Sequence, residues 1–197
     1  MINFKCHILA IFFLVFSGFS YSNPTVIQHN FNLSANIKQN TDDFYVKEVG
    51  TGSSSAIVFK WDKNISDFIN PNQAPIYLKI KSTKDVSVYT NIPPQLKSTQ
   101  GATIPIKINM EPDGNKMVVS SQAGVQNVGL IKQVVYPVKA SAEPGGTGLE
   151  PGTEVIFGVT FKALKTGMLD SMKSAVSEPV PGSYSASIAL IFESDLS

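Results

Sequence analysis

Between Ile27 and Ile37 the odd positions read Ile27, His29, Phe31, Leu33, Ala35 and Ile37, and the even positions read Gln28, Asn30, Asn32, Ser34 and Asn36. Every even residue is polar, and every odd residue except His29 is apolar. Successive side chains of a strand leave on opposite faces, so a period of two specifies a strand with one buried face and one wet face. No turn signal follows for several residues, so no hairpin partner stands next to it. Such a strand fills either its own sheet or a neighbouring chain's, and that alternative governs what the chain can become.

Residues 1–22 read as a secretory signal and not as part of the fold. Lys5 precedes the apolar run Ile8–Phe16, and small residues follow at Ser17, Gly18, Ser20 and Ser22. The run is too short to span a bilayer stably. Ser20 and Ser22 place the cleavage before Asn23, with Gly18 and Ser20 offering a second position before Tyr21. Cys6 lies within the signal, so the mature chain is expected to carry no cysteine and no disulfide. The product is expected to be exported.

Composition narrows the function classes. The chain holds 16 Lys and Arg against 15 Asp and Glu, and all the cations are lysines. Removing Lys5 with the signal leaves a neutral chain. A neutral surface without arginine is a poor match for nucleic acid, which selects clustered cations and bidentate guanidinium groups. It is equally unsuited to electrostatic membrane binding.

The rest of the chain reads as strands and turns. Short strands are expected at Asp43–Val49, Ala56–Trp61, Ile76–Lys81 and Val86–Val88, the last broken by Ile92–Pro94. Ile104, Ile106, Ile108 and Met110 alternate up to the Pro112-Asp113-Gly114-Asn115 turn, and Met117–Ser120 is a candidate return strand. Pro137 marks Val134–Ala140 as an edge or bulged strand, because proline cannot donate to a ladder. Glu143–Gly152 is a loop rich in Gly and Pro. Val155, Phe157, Val159, Phe161 and Ala163 alternate cleanly. Thr166–Ser177 is the one expected helical turn, from the spacing of Met168, Leu169 and Met172. Tyr184, Ala186, Ile188, Leu190 and Phe192 share the apolar face of a final strand. This many short strands at such spacing predicts an all-β sandwich of immunoglobulin-like type in a single domain.

The two ends resemble a known family. Asn30-Phe31-Asn32-Leu33-Ser34-Ala35-Asn36-Ile37 is similar to the N-terminal donor segment of alpha-class, colonisation-factor-type fimbrial subunits of the bacterial chaperone–usher pathway. Gly182-Ser183-Tyr184-Ser185-Ala186-Ser187-Ile188-Ala189-Leu190-Ile191-Phe192 resembles the family's closing strand. The resemblance implies an incomplete immunoglobulin-like β-sandwich (residues 39–197), completed by a donor strand (23–38) from the neighbouring subunit. Strand addition of this kind takes its affinity from backbone hydrogen bonds and its register from alternate side chains. A head-to-tail contact that does not close produces a filament. The implied partners are neighbouring fimbrial subunits in a homopolymer, a periplasmic chaperone, an outer-membrane usher and a host-surface receptor. The implied groove-filling residues are Ile27, Phe31, Leu33, Ala35 and Ile37. The implied acceptor residues are Val155, Phe157, Val159, Phe161, Tyr184, Ile188, Leu190 and Phe192, expected to lie open in the isolated subunit.

No catalytic, cofactor or metal motif is expected to operate. His29 is the only histidine after the signal, and no cysteine stands near to complete a zinc set or a nucleophile pair. Gly145-Gly146-Thr147-Gly148 lacks the Lys-Ser/Thr and strand–helix setting of a phosphate loop. Trp61, Tyr77 and Tyr89 are the candidates for a sugar-stacking platform, although aromatics are common on strands for packing reasons alone. A structural subunit of a surface fimbria is the expected function. A self-contained secreted or periplasmic β-sandwich binding protein, or a receptor-binding minor pilin, is the alternative.

Overall fold

A computed structural model describes residues 26–29, 43–50, 57–70, 74–113, 123–139 and 148–194. All regular structure among them is β. The centre is built by the segments with the cleanest alternation. β11 (Glu154–Ala163) buries Val155, Phe157, Val159, Phe161 and Ala163 on one face. It lies antiparallel between β5 (Ile76–Ser82) and β8 (Thr103–Pro112), with Phe157 opposite Leu78 on one side and Phe161 opposite Ile108 on the other. β2 (Phe44–Glu48) extends this sheet beyond β5, while β9 (Val125–Gln126) and β7 (Gln95–Ser98) pair with β8.

A second sheet places β6 (Val86–Thr90) between β10 (Gln133–Tyr136) and β13 (Leu190–Ser194). A third places β3 (Ile57–Asp62) between β1 (Val26–His29) and β4 (Asp67–Ile69). β12 (Tyr184–Ser185) pairs with β7 at Tyr184↔Ser98, and β13 pairs with β6 from Leu190↔Thr90 to Ser194↔Val86. The C-terminal stretch therefore runs antiparallel past residues 86–98 in two steps, and it carries the chain from the first sheet into the second. All the strand pairs are antiparallel, and side chains from the three sheets share one apolar core that includes Phe59, Val88, Phe157, Tyr136 and Phe192. The arrangement is consistent with a β-sandwich.

Several polar groups in and around this core are hydrogen-bonded across strands. The Tyr136 hydroxyl donates to the Thr153 carbonyl at 2.5 Å, joining β10 to the approach to β11. The Ser82 and Ser194 hydroxyls meet at 3.1 Å, joining β5 of the first sheet to the end of β13. The Asp85 carboxylate accepts from Val138 N at 2.7 Å. The end of the Gly/Pro-rich loop folds back here, with Leu149 bridging Val138. Gly148 has φ +141°, and a Cβ there would stand 2.9 Å from Lys139 N, so the close approach requires glycine.

Pro137 follows β10 directly, β10 is an edge strand, and its register shifts between Val134 and Tyr136, as the proline predicts. Two readings are corrected. Residues 166–177 form no helical turn. The Asp170 carboxylate accepts from Met172 N at 2.8 Å and Ser174 N at 2.9 Å, a local side-chain bond that replaces the helical one, and Leu169 bridges both Thr103 and Ala175. Met168 is buried at 1% exposure but Met172 is 84% exposed, so the helical spacing does not mark a shared buried face. The final strand is also not continuous: it pauses at residues 186–189, opposite the break that Pro93 and Pro94 impose between β6 and β7. The candidate strand Met117–Ser120 lies outside the described residues.

Candidate functional site

The candidate site is the margin where β1, paired with β3, passes beside β12, the first part of the C-terminal stretch. β3 alternates Ile57, Phe59 and Trp61 on one side. Phe59 is 1% exposed, and the Trp61 ring stands edge-on to Phe68 at 4.9 Å between centroids. This packing fixes β3 and β4 over the core and leaves β3 an edge to offer. β1 takes that edge antiparallel, with Val26↔Lys60, Ile27↔Phe59, Gln28↔Val58 and His29↔Ile57, and it passes beside β12. The first strand thus pairs within its own chain over these four residues. Sequence reading did not find this partner, although the apolar alternation at Ile57, Phe59 and Trp61 was a signal for it.

β13 is the second half of the margin. It pairs with β6 along one edge, and no described strand pairs with the other. Its inward face is apolar and buried, with Leu190 at 0% and Phe192 at 5% exposure. Its outer surface carries charge: the Lys132 ammonium lies 2.7 Å from the Glu193 carboxylate and 5.4 Å from the Tyr89 ring centroid. Both members of this pair are half exposed, so it adds little to stability. Burial raises the pKa of Tyr184, whose hydroxyl donates to the Val180 carbonyl at 2.8 Å and anchors the start of the C-terminal stretch.

The eight acceptor candidates divide between two sheets. Val155, Phe157, Val159 and Phe161 lie on β11, at the centre of the first sheet. Tyr184, Leu190 and Phe192 lie on β12 and β13, and Ile188 falls in the pause between them. All eight are buried, so the expectation that their side chains lie open in a single chain is not met. The physical reason is that the sheets close over one another, and β11 is paired on both edges. Among the described residues, the outer backbone edge of β13 has no partner strand, and no apolar floor lies open beside it. Among the donor residues, Ile27 lies on β1 as the register partner of Phe59. Phe31, Leu33, Ala35 and Ile37 lie outside the described residues.

Other candidate chemistry is dispersed. Trp61, Tyr77 and Tyr89 stand on β3, β5 and β6, in three different sheets, and form no common stacking surface. At the pause a shallow pocket of about 410 Å³ opens between Ile92, Pro93, Gln95 and Lys97 on one side and Ser185–Ser187 on the other. Away from the margin, Tyr45 donates to Glu154, whose carboxylate also takes Lys79 Nζ at 3.1 Å. Burial and this bond push the Tyr45 phenol up to about 12, while the Tyr45 and Lys79 hydrogen bonds hold the Glu154 carboxyl below its ordinary value. Among the described residues, no three His, Cys, Asp or Glu side chains gather into a metal-binding group. Compared with family models and with curated proteins, the chain matches none.

Proposed function

We propose that this chain is a structural subunit of a bacterial surface fimbria, exported through the periplasm and polymerising head to tail by strand donation. The observation that carries the reading is the pairing of opposites at the margin. The C-terminal strand β13 offers one backbone edge with no described partner. The N-terminal segment has the alternation of a one-sided strand from Ile27 to Ile37, and its first part already runs beside β12. An unpaired edge is a template for another strand, and a segment at the chain end is free to reach a neighbour. In this reading the segment 23–38 of one subunit completes the immunoglobulin-like sandwich of the next. A chaperone covers the same edge in the periplasm, an usher exchanges it at the outer membrane, and the finished fibre supports adhesion to host surfaces.

The in-chain pairing of β1 with β3, and the burial of all eight acceptor candidates, favour the second reading of a self-contained β-sandwich binding protein. One experiment separates the two. A chain beginning at Gln39 is compared with the same chain carrying a copy of Ile27–Lys38 joined after Ser197 by a flexible linker. Strand donation predicts that the shortened chain aggregates or melts early and that the grafted chain is a stable monomer. If the shortened chain is already monomeric and melts with the grafted one, the sandwich is self-contained and the proposal is wrong.

A further inference from the structure

We propose that the outer face of the first sheet is a docking surface for a linear anionic polysaccharide, one that carries sulfate or carboxylate groups along its length. This is the face that β2, β5, β8 and β11 turn away from the core. Strand pairing brings five lysines onto it. Lys47 lies opposite Lys79; Lys81 lies two residues further along β5, between Tyr45 and Glu154; and Lys107 lies opposite Lys162. The carboxylates that these four strands place on the same face are Glu154 and Glu111. Five lysines against two glutamates leave a net charge of +3 on this face, in a chain whose whole net charge is +1. The near-neutral composition hides the patch, because pairing between distant strands gathers the lysines.

The arrangement favours an anion. Like charges directly opposite each other across a ladder destabilise a sheet, yet this face holds two such pairs, Lys47 with Lys79 and Lys107 with Lys162. Glu154 relieves the first pair, with a carboxylate oxygen 3.1 Å from Lys79 Nζ. Among the described residues nothing relieves the second, since neither Lys107 nor Lys162 forms a salt bridge. The two groups of lysines are also well separated. Lys162 stands six residues along β11 from Ile156, the register partner of Lys79, which is about 20 Å at the rise of a strand. Between them Tyr77 lies opposite Gly158, and a Cβ on that glycine would meet Tyr77 Cε1 at 3.7 Å. The Tyr77 side chain therefore leans over bare backbone, and the residue is 37% exposed.

The class of ligand follows from this layout. Cationic groups about 20 Å apart on an open sheet fit an extended polyanion better than a single small anion. Lysine offers sulfate or carboxylate a mobile point charge, without the planar fork that arginine imposes. A pyranose ring has an apolar face of C–H groups to lay on the Tyr77 ring between the two groups. A bilayer surface fits less well, because Tyr77 is the one exposed large apolar side chain that the described residues place on this face. In the strand-donation reading the face supplies the receptor chemistry, but it lies on the first sheet, not on β13, and needs no polymer.

The test titrates a heparin hexasaccharide into the mature chain, with polyglutamate and phosphatidylglycerol vesicles as comparisons. The hexasaccharide should bind, more weakly as salt rises, and at least about tenfold tighter than either comparison. Lys107→Gln with Lys162→Gln should weaken it by about tenfold and lower the slope of log K against log salt by about two charges. The same variant should melt no lower than the wild type, because it removes a like-charge pair. Tyr77→Ser should weaken binding without changing the salt slope, and Lys132→Gln on the second sheet should change neither.

No binding of the hexasaccharide, or an unchanged affinity in the Lys107/Lys162 variant, would overturn the surface. Equal or tighter binding of polyglutamate would assign the face to an acidic protein, and of the vesicles to a lipid headgroup, and either would overturn the polysaccharide. Detergent-resistant ladders keep this apart from polymerisation. Ladders formed alike by wild type and variants, with no sugar bound, would sink the surface and leave strand donation standing. Sugar binding that depends on Lys107 and Lys162, with no ladders from any chain, would sink donation and leave the surface standing.

Discussion

β11 and β13 bury their alternate side chains almost equally well, yet they occupy opposite positions in the molecule. Phe157 and Leu190 are both 0% exposed. β11 runs for ten residues with β5 on one edge and β8 on the other; β13 runs for five, with β6 on one edge and no described strand on the second. Side-chain burial is therefore a poor marker of where this protein can join another. The backbone distinguishes the two: an interior strand has both rows of polar groups satisfied, whereas an edge strand keeps one row available. The centre supplies stability, and the margin is where pairing can change.

The largest effects should come from testing this contrast in the core. Phe157→Ala removes a ring from a strand pinned on both edges, where the surroundings collapse least, and should cost about 3–5 kcal/mol in urea unfolding. Phe192→Ala deletes the same ring from the edge strand and should cost measurably less, because β13 can settle into the space. Equal losses would break the comparison. Native-state hydrogen exchange sharpens it: amides of Val155–Phe161 should exchange only on global unfolding, while half of the β13 amides should exchange by local opening. Uniform protection along β13 would mean that its outer edge is covered in the monomer.

The smallest effect concerns the buried phenols. Burial raises the Tyr136 pKa above its ordinary 10.0, as it does for Tyr45 and Tyr184. A folded-state value above the unfolded one contributes stability that is intact below pH 10.0 and is lost as pH rises towards the folded values. Tyr136→Phe gives up the bond to Thr153 and should cost about 0.5–1.5 kcal/mol at neutral pH. It should also flatten the loss of melting temperature between neutral and strongly alkaline buffer. An unchanged alkaline slope would show that Tyr136 is not a source of it.

Strands that bury one face along several residues were legible in the sequence. The alternations at Ile76–Lys81, Ile104–Met110 and Val155–Ala163 became β5, β8 and β11 with the expected faces buried. Pro137 announced an edge strand with a bulge, because its missing N–H acts locally. Shorter pieces were not legible. β4 and β7 span three and four residues and owe their form to the partners beside them, β3 and β8. The spacing of Met168, Leu169 and Met172 pointed to a helix, but the Asp170 side chain satisfies the local N–H groups first. At the margin, the sequence marked Ile27 as part of a one-sided strand and Ile57, Phe59 and Trp61 as an apolar face, but it did not set the register that pairs Ile27 with Phe59.

By itself the sequence determined the faces: which residues alternate, which turn sharply, and that lysine is the sole cationic side chain besides histidine. Only the tertiary structure decided the neighbours. It put β3 beside β1, left β13 at the margin of the second sheet among the described residues, and buried the eight residues expected to lie open. The reason is that periodicity is a local property, set by the geometry of successive side chains, whereas strand pairing is a contest among distant segments. That contest is settled by loop closure, register and the number of backbone bonds each partner offers, none of which the alternation of a single segment records.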